Sequence, residues 1–199
     1  MKPTKQGKLL LTIMKKKIMS NKRSNASFLR DSKLSVFIDI RDSEWNSIIS
    51  NVQTLCVRAA QTAFSLARSN IKRGEASVVL ADDKFVKNLN LRYRGLNKST
   101  NVLAFASLDS RDPSFGLSTV QLGDIVICRE VTVAEARTED KTVTNHVCHL
   151  VVHGMLHLLG FDHLEEEDIA KMEALETACL ELLDIPDPYE LYRRDFSFE

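Results

Sequence analysis

No stretch of the 199-residue sequence approaches the roughly 20 consecutive apolar residues that a membrane-spanning helix needs, so a transmembrane reading is set aside. Glycine (7) and proline (4) are both scarce, which removes collagen-like and low-complexity chains. The four cysteines, Cys56, Cys128, Cys148 and Cys179, form no CxxC pair, and each lies in an apolar stretch. That is the setting of buried free thiols in a reducing compartment, and a cytoplasmic protein is expected. Net charge is absent too, 27 Lys and Arg balancing 27 Asp and Glu.

The balance hides an asymmetry. Residues 1–33 carry ten basic side chains and one acid, which leaves the remainder with the matching excess of acid. A basic segment of this kind attracts polyanions. An acidic body does not bind nucleic acid through its overall field, so any such site on it must be local. The apolar stretch Leu9–Met14 is six residues long and runs into Lys15-Lys16-Lys17. A secretory core needs about 7–15 apolar residues and a cleavage site. Residues 1–33 are therefore expected to form a disordered extension, with Met14 or Met19 as alternative starts, and residues 34–199 a single domain.

With 44 % hydrophobic residues the body can bury one core. Strands are expected at Ser35–Ile40, Ala76–Leu80, Asn101–Ala106 and Leu122–Cys128, where β-branched and aromatic residues concentrate. Apolar residues at three- and four-residue steps predict a helix over about 44–69, from Trp45 to Leu66. Further helices are expected from Asp82-Asp83 to Gly95 and over about 129–138, 141–159 and 165–184. Residues 107–119 read as a loop. The order implies an α+β fold, a four-stranded mixed sheet packed with about five to six α-helices. Trp45 and Phe105 fall on apolar faces and are core candidates rather than base-stacking platforms.

The segment that carries chemistry runs from His153 to His163, His-Gly-Met-Leu-His-Leu-Leu-Gly-Phe-Asp-His. Positions i and i+4 share a helix face, so His153 and His157 can converge on one ion. Gly160 is placed where the helix would end in a left-handed turn, folding the chain back to bring His163 to the same point. Three imidazoles suit a zinc ion and leave a fourth position open for water, which makes hydrolysis of an ester, phosphodiester or amide accessible. The spacing HxxxHxxGxxH is also that of metzincin proteases, but their general-base Glu follows the first His, and here Gly154 stands there. A peptidase is the weaker reading for that reason. His149, one turn before His153, is read as a supporting or core residue, and His146 as solvent-facing. Asp162 either orients a ligand imidazole or holds the turn. The acids Glu165–Asp168 suit the positive end of the last helix.

Three segments together, His153–His163, Leu91–Phe105 (LRYRGLNKSTNVLAF) and Leu122–Ile127 (LGDIVI), resemble the YbeY family of bacterial rRNA maturation factors. The likeness extends over residues about 36–190, including Glu173–Glu176 and Asp187-Pro188-Tyr189, and departs where Ala104 replaces the usual Ser and Ala106 the usual Pro. The resemblance implies a single-strand-specific, metal-dependent endoribonuclease acting in 16S rRNA maturation, 3′ end included, and in ribosome quality control. It implies one zinc ion on His153, His157 and His163, with Arg94 as the catalytic or RNA-binding residue. The implied partners are precursor 16S rRNA, the small ribosomal subunit, one of its proteins and a ribosome-associated GTPase. Arg92, Arg94 and Lys98 form a basic cluster that could supply the local site, because a guanidinium fork clamps two phosphate oxygens. The alternatives are a ribosome-assembly factor with a structural zinc, and a metallopeptidase.

Overall fold

The computed structural model describes residues 33–67, 71–107, 119–162 and 165–189. The basic extension, the centre of the 107–119 loop and His163 lie outside the described residues. Ten elements follow in order: β1 Leu34–Ile40, α1 Glu44–Ile48, α2 Val52–Leu66, β2 Gly74–Ala81, α3 Asp83–Arg94, β3 Val102–Ala106, β4 Val120–Cys128, α4 Arg129–Thr138, α5 Val143–Leu158 and α6 Glu166–Leu182. The expected architecture, a four-stranded mixed sheet with six helices among the described residues, is the one observed.

The strands lie in the order β1-β2-β4-β3. β1 runs parallel to β2, with Ile38 opposite Val78, and β2 runs parallel to β4, with Val78 opposite Ile125. β3 is antiparallel to β4, with Ala104 opposite Ile125. Alternation along the strands feeds two apolar clusters. Val78, Leu80, Ile125 and Ile127 join the larger one, beneath α2, α5 and α6. Ala81, Val126 and Cys128 point the other way and meet Val86 of α3. β4 carries one extra residue, Leu122, between the partners of Glu75 and Ala76. Gly123 permits this bulge: its φ is 129°, and a Cβ there would stand 2.0 Å from the Phe105 carbonyl oxygen.

The single helix expected over 44–69 is two helices. Ile49 breaks it with an extended backbone, φ −132° and ψ 103°. The three-and-four spacing is obeyed on both sides because both helices bury into one core. Trp45 is fully enclosed and donates its indole N–H to the Ala81 carbonyl at 3.4 Å, while Ile49 and Val52 are buried across the break. A periodicity of apolar residues does not register a change of axis between two helices that face the same core. Phe105, expected in the core, is only partly buried. Among the described residues no helix is long and apolar enough to cross a membrane.

Candidate metal centre

α5 carries the paired histidines, and its limits follow from its ends. Thr142 caps its start by accepting the Asn145 N–H at 3.1 Å. Its exit is the turn the sequence predicts. Gly160 takes φ 87°, its N–H reaches the His157 carbonyl at 3.0 Å, and Phe161 N–H reaches back to the Leu156 carbonyl at 3.0 Å. Val147, Val151, Met155 and Leu158 bury one face of α5 in the main core, leaving His149, His153 and His157 partly exposed. The helix lies close on the sheet because Gly154 has no side chain: a Cβ there would meet Ile125 Cγ2 at 2.8 Å.

His153 and His157 present their Nε2 atoms to each other at 3.1 Å. Two nitrogens bound at about 2.0–2.1 Å to one tetrahedral ion stand roughly 3.3–3.4 Å apart, so the pair is spaced as two ligands of a common ion would be. His153 is also set in the tautomer that ligation needs. Its Nδ1–H donates to Glu176 Oε1 at 2.7 Å, which leaves Nε2 as a lone pair. The donor set of neutral imidazoles backed by a carboxylate suits zinc. Among the described residues no group of three or more His, Cys, Asp or Glu side chains is placed so that all of them could hold one metal ion. The predicted third ligand, His163, lies outside them.

Glu176 is the residue that the sequence reading did not single out. It lies on α6 with 1 % of its surface exposed, and it accepts from His149 Nε2 at 3.2 Å, from His153 Nδ1 and from the Tyr189 hydroxyl. Burial pushes its carboxyl up, but the hydrogen bonds from His149 and His153 outweigh burial and take it down to about 2. Tyr189 arrives from beyond α6, where Asp187 accepts the Tyr189 N–H at 3.0 Å and the Thr177 hydroxyl at 3.2 Å. Burial and the neighbouring Glu176 push the tyrosine hydroxyl well up, so it stays a donor. A signal for Glu176 was present: it stands three residues before Cys179 and four after Met172, inside the apolar stripe of α6. A carboxylate in such a stripe demands partners.

His149 has the supporting position expected of it. His146 corrects the expectation of a solvent-facing ring: it is buried and pairs with Glu135 of α4 at 2.8 Å. Helical geometry alone left it outward, but α4 packs over that face of α5 and supplies the carboxylate. Asp162 is exposed where the described segment ends. Arg94 stands exposed at the last position of α3, before Gly95 turns the chain at φ 71°. The structure brings His153, His157 and Glu176 together, and it holds Arg94 on a separate element at the surface.

Against known proteins, a family profile described as "Endoribonuclease YbeY" matches residues 37–184. A protein of Paramagnetospirillum magneticum named "Endoribonuclease YbeY" is 43 % identical over 159 residues, covering 78 % of this chain and 96 % of that one. One of the same name from Rhodospirillum rubrum is 42 % identical over 166 residues, covering 80 % and 83 %. A solution structure of a Thermotoga maritima protein aligns over 83 % of this chain and 96 % of its own, at 20 % identity and a TM-score of 0.49.

Proposed function

The chain belongs to the YbeY endoribonuclease family, and from that premise we propose that it is a zinc-dependent endoribonuclease that hydrolyses single-stranded RNA. The proposal includes maturation of 16S rRNA, its 3′ end among the sites, and a part in ribosome quality control. Family membership supports the broad statement, an RNA-processing nuclease. The pairing of His153 and His157 at 3.1 Å, with Glu176 behind His153, is the observation that carries the hydrolytic reading.

His153 and His157, with His163 as the third donor that the spacing predicts, would hold the ion, whose chemistry when bound is Lewis acidity toward a phosphoryl oxygen and acidification of water. The chain's own residues do the rest. Glu176 keeps the proton on Nδ1 of His153 and fixes the plane of the ring, and the Tyr189 hydroxyl and His149 hold the Glu176 carboxylate in turn. Arg94 is the residue proposed to meet the phosphate. A guanidinium offers two parallel N–H donors to two oxygens and stabilises the charge that grows there as the bond breaks. Its exposure at the end of α3 leaves it open to a polyanion.

A peptidase needs a carboxylate near the ion to carry a proton to the leaving nitrogen. The residue after His153, where metzincins place it, is Gly154, and it is packed against Ile125 with no room for a side chain. The proposed partners are precursor 16S rRNA, the small ribosomal subunit, one of its proteins and a ribosome-associated GTPase, all resting on the family alone. The test is cleavage of a labelled single-stranded RNA by zinc-loaded protein, with His157→Ala purified in parallel. Loss of cleavage in the variant is the expected result, and a variant that cuts as fast as the parent would overturn the proposal.

A further inference from the structure

Five large apolar side chains are exposed among the described residues, and three of them, Leu91, Tyr93 and Leu96, fall within six residues at the end of α3. Tyr93 is 59 % exposed.

Tyr93 is not loosely attached. Its ring meets that of Phe105 on β3 in an edge arrangement, centroids 5.0 Å apart at 62°. Phe105 is itself anchored in the smaller apolar cluster with Val86 and Val126. The result is an exposed ring held in place by a second, anchored ring. One cation lies against it and two more follow in the sequence. The Arg92 guanidinium lies 5.6 Å from the Tyr93 centroid, near the outer limit of about 6 Å for a cation–π contact, and Arg94 and Lys98 are exposed close by in sequence. On a body with an excess of acid these cations make a local site for an anion, and an apolar ring beside anion-binding groups matches a nucleotide, which has a flat base and a phosphate.

β3 links this patch to the histidine pair. Phe105 follows Ala104, Ala104 stands opposite Ile125, and Ile125 is the side chain against which Gly154 of α5 packs. The aromatic pair therefore lies on the face of the edge strand β3 opposite to the one that α5 covers.

We propose that Tyr93, supported by Phe105, is a stacking platform for a base of single-stranded RNA, with Arg92 and Lys98 holding the adjoining phosphates. This deepens the endoribonuclease reading and rests on it for the identity of the polymer. A base placed on Tyr93 displaces the Arg92 guanidinium, which then reaches the phosphate of the same nucleotide. Stacking on an aromatic tolerates any base, so the platform confers a preference for unpaired strands and none for sequence.

The test is binding of a fluorescent 2′-O-methyl RNA dodecamer, which resists cleavage, to the full chain over a range of salt. Tyr93→Ala should raise Kd by roughly 5- to 150-fold, the loss of one stacked base. Tyr93→Phe should stay within about two-fold of the parent, because the ring and not the hydroxyl is used. The slope of log K against log salt should be unchanged in Tyr93→Ala and shallower by roughly 0.7 in Arg92→Ala, one phosphate contact fewer. Tyr93→Ala binding as tightly as the parent, or a parent that does not bind the oligonucleotide, would overturn the platform; the first of these would point to a protein partner for the patch. Cleavage by the parent is scored separately. A protein that cuts RNA with Tyr93→Ala unimpaired in binding loses the platform alone, and one that binds through Tyr93 without cutting loses the nuclease reading alone.

Discussion

Glu176 holds Nδ1 of His153 at 2.7 Å and Nε2 of His149 at 3.2 Å, so one enclosed carboxylate on α6 orients two successive imidazoles on α5. The bonds are satisfied only by an ionised group that accepts from all sides. Solvation lost by burying the charge is replaced by three donors, His149, His153 and Tyr189, which is the condition under which a buried carboxylate is tolerated.

Glu176→Gln keeps the size of the side chain but not its chemistry. The amide offers one acceptor oxygen and a donor NH2, so it cannot accept from His153 at one terminal atom and from His149 and Tyr189 at the other. We expect zinc affinity to fall by roughly 10- to 100-fold, the usual loss when a supporting carboxylate is removed. Competition with a chromophoric chelator measures it. Nitrogen NMR of His153 should also show its proton no longer confined to Nδ1, a change that a merely structural role for Glu176 would not produce.

With the zinc in the catalytic role proposed above, stripping it should abolish RNA cleavage and leave the fold standing. α5 is held by Val147, Val151, Met155 and Leu158, all fully buried in the main core, and its ends are closed by Thr142 and Gly160 without help from an ion. Circular dichroism before and after chelation should superimpose, with the melting midpoint moving only by the modest amount that ligand loss allows. Melting on chelation would assign the metal a structural part instead.

The strands were legible because their residues alternate or run apolar, and the turn after α5 because Gly160 admits a positive φ that other residues resist. The i, i+4 pair His153 and His157 was legible for the same local reason: one helix carries both. What was illegible is what tertiary packing decides. The break at Ile49 leaves the apolar spacing intact, so nothing local marked it. His146 was misread as outward because its partner Glu135 comes from another helix. Glu176 looked like one acid among many on α6, since the histidines that need it lie 23 and 27 residues away in sequence.

Asp42 and Arg129 join the end of β1 to the start of α4 through a short hydrogen bond, and Glu44 N–H adds a bond to Asp42 at 3.1 Å. Burial pushes the Asp42 carboxyl up, but the hydrogen bond from Arg129, the Glu44 amide and the charge of Arg129 together outweigh burial and hold it below its ordinary 3.8. A carboxyl lowered by folding contributes stability that is complete above its unfolded value and is lost as pH falls through the folded one. Asp42→Asn should therefore lower stability by an amount of the order of 1 kcal/mol, both partners being in reach of solvent. The difference in melting temperature between parent and variant should be constant over roughly pH 5 to 8 and shrink below about 3.8. A difference that persists undiminished at the lowest pH would mean that the ionised carboxylate is not its source.

Native cysteines should be silent to thiol reagents. Burial pushes the Cys56 and Cys148 thiols up to about 12, Cys128 to about 11 and Cys179 higher still. The thiolate is the reactive form, and all four side chains are enclosed. Titration with a disulfide reagent near pH 8 should give almost no reaction with folded protein and four equivalents in denaturant. Rapid labelling of a thiol in the folded state would show that part of the core opens locally.

Gly154→Ala separates intrinsic helix preference from packing. In an exposed helix interior the change would stabilise by roughly 0.8–1.0 kcal/mol. Here the new Cβ would stand 2.8 Å from Ile125 Cγ2 and 3.2 Å from Cγ1, too close for ordinary contact. Ile125 is itself fully buried between β2 and β3, so it has little room to yield. Overpacking of this kind costs about 1–3 kcal/mol, which exceeds the propensity gain, and the net result should be destabilisation. α5 can relieve the clash only by moving off the sheet, and His153 moves with it relative to Glu176 on α6. Zinc affinity should therefore fall with stability in Gly154→Ala, and the companion change Ile125→Ala, which removes Cγ1, Cγ2 and Cδ1 from the contact, should make the double variant less impaired than the two single losses added. Thermal melts and chelator competition on the two single variants and the double variant decide it: losses that simply add would show that the close approach at Ile125 is not what positions the helix.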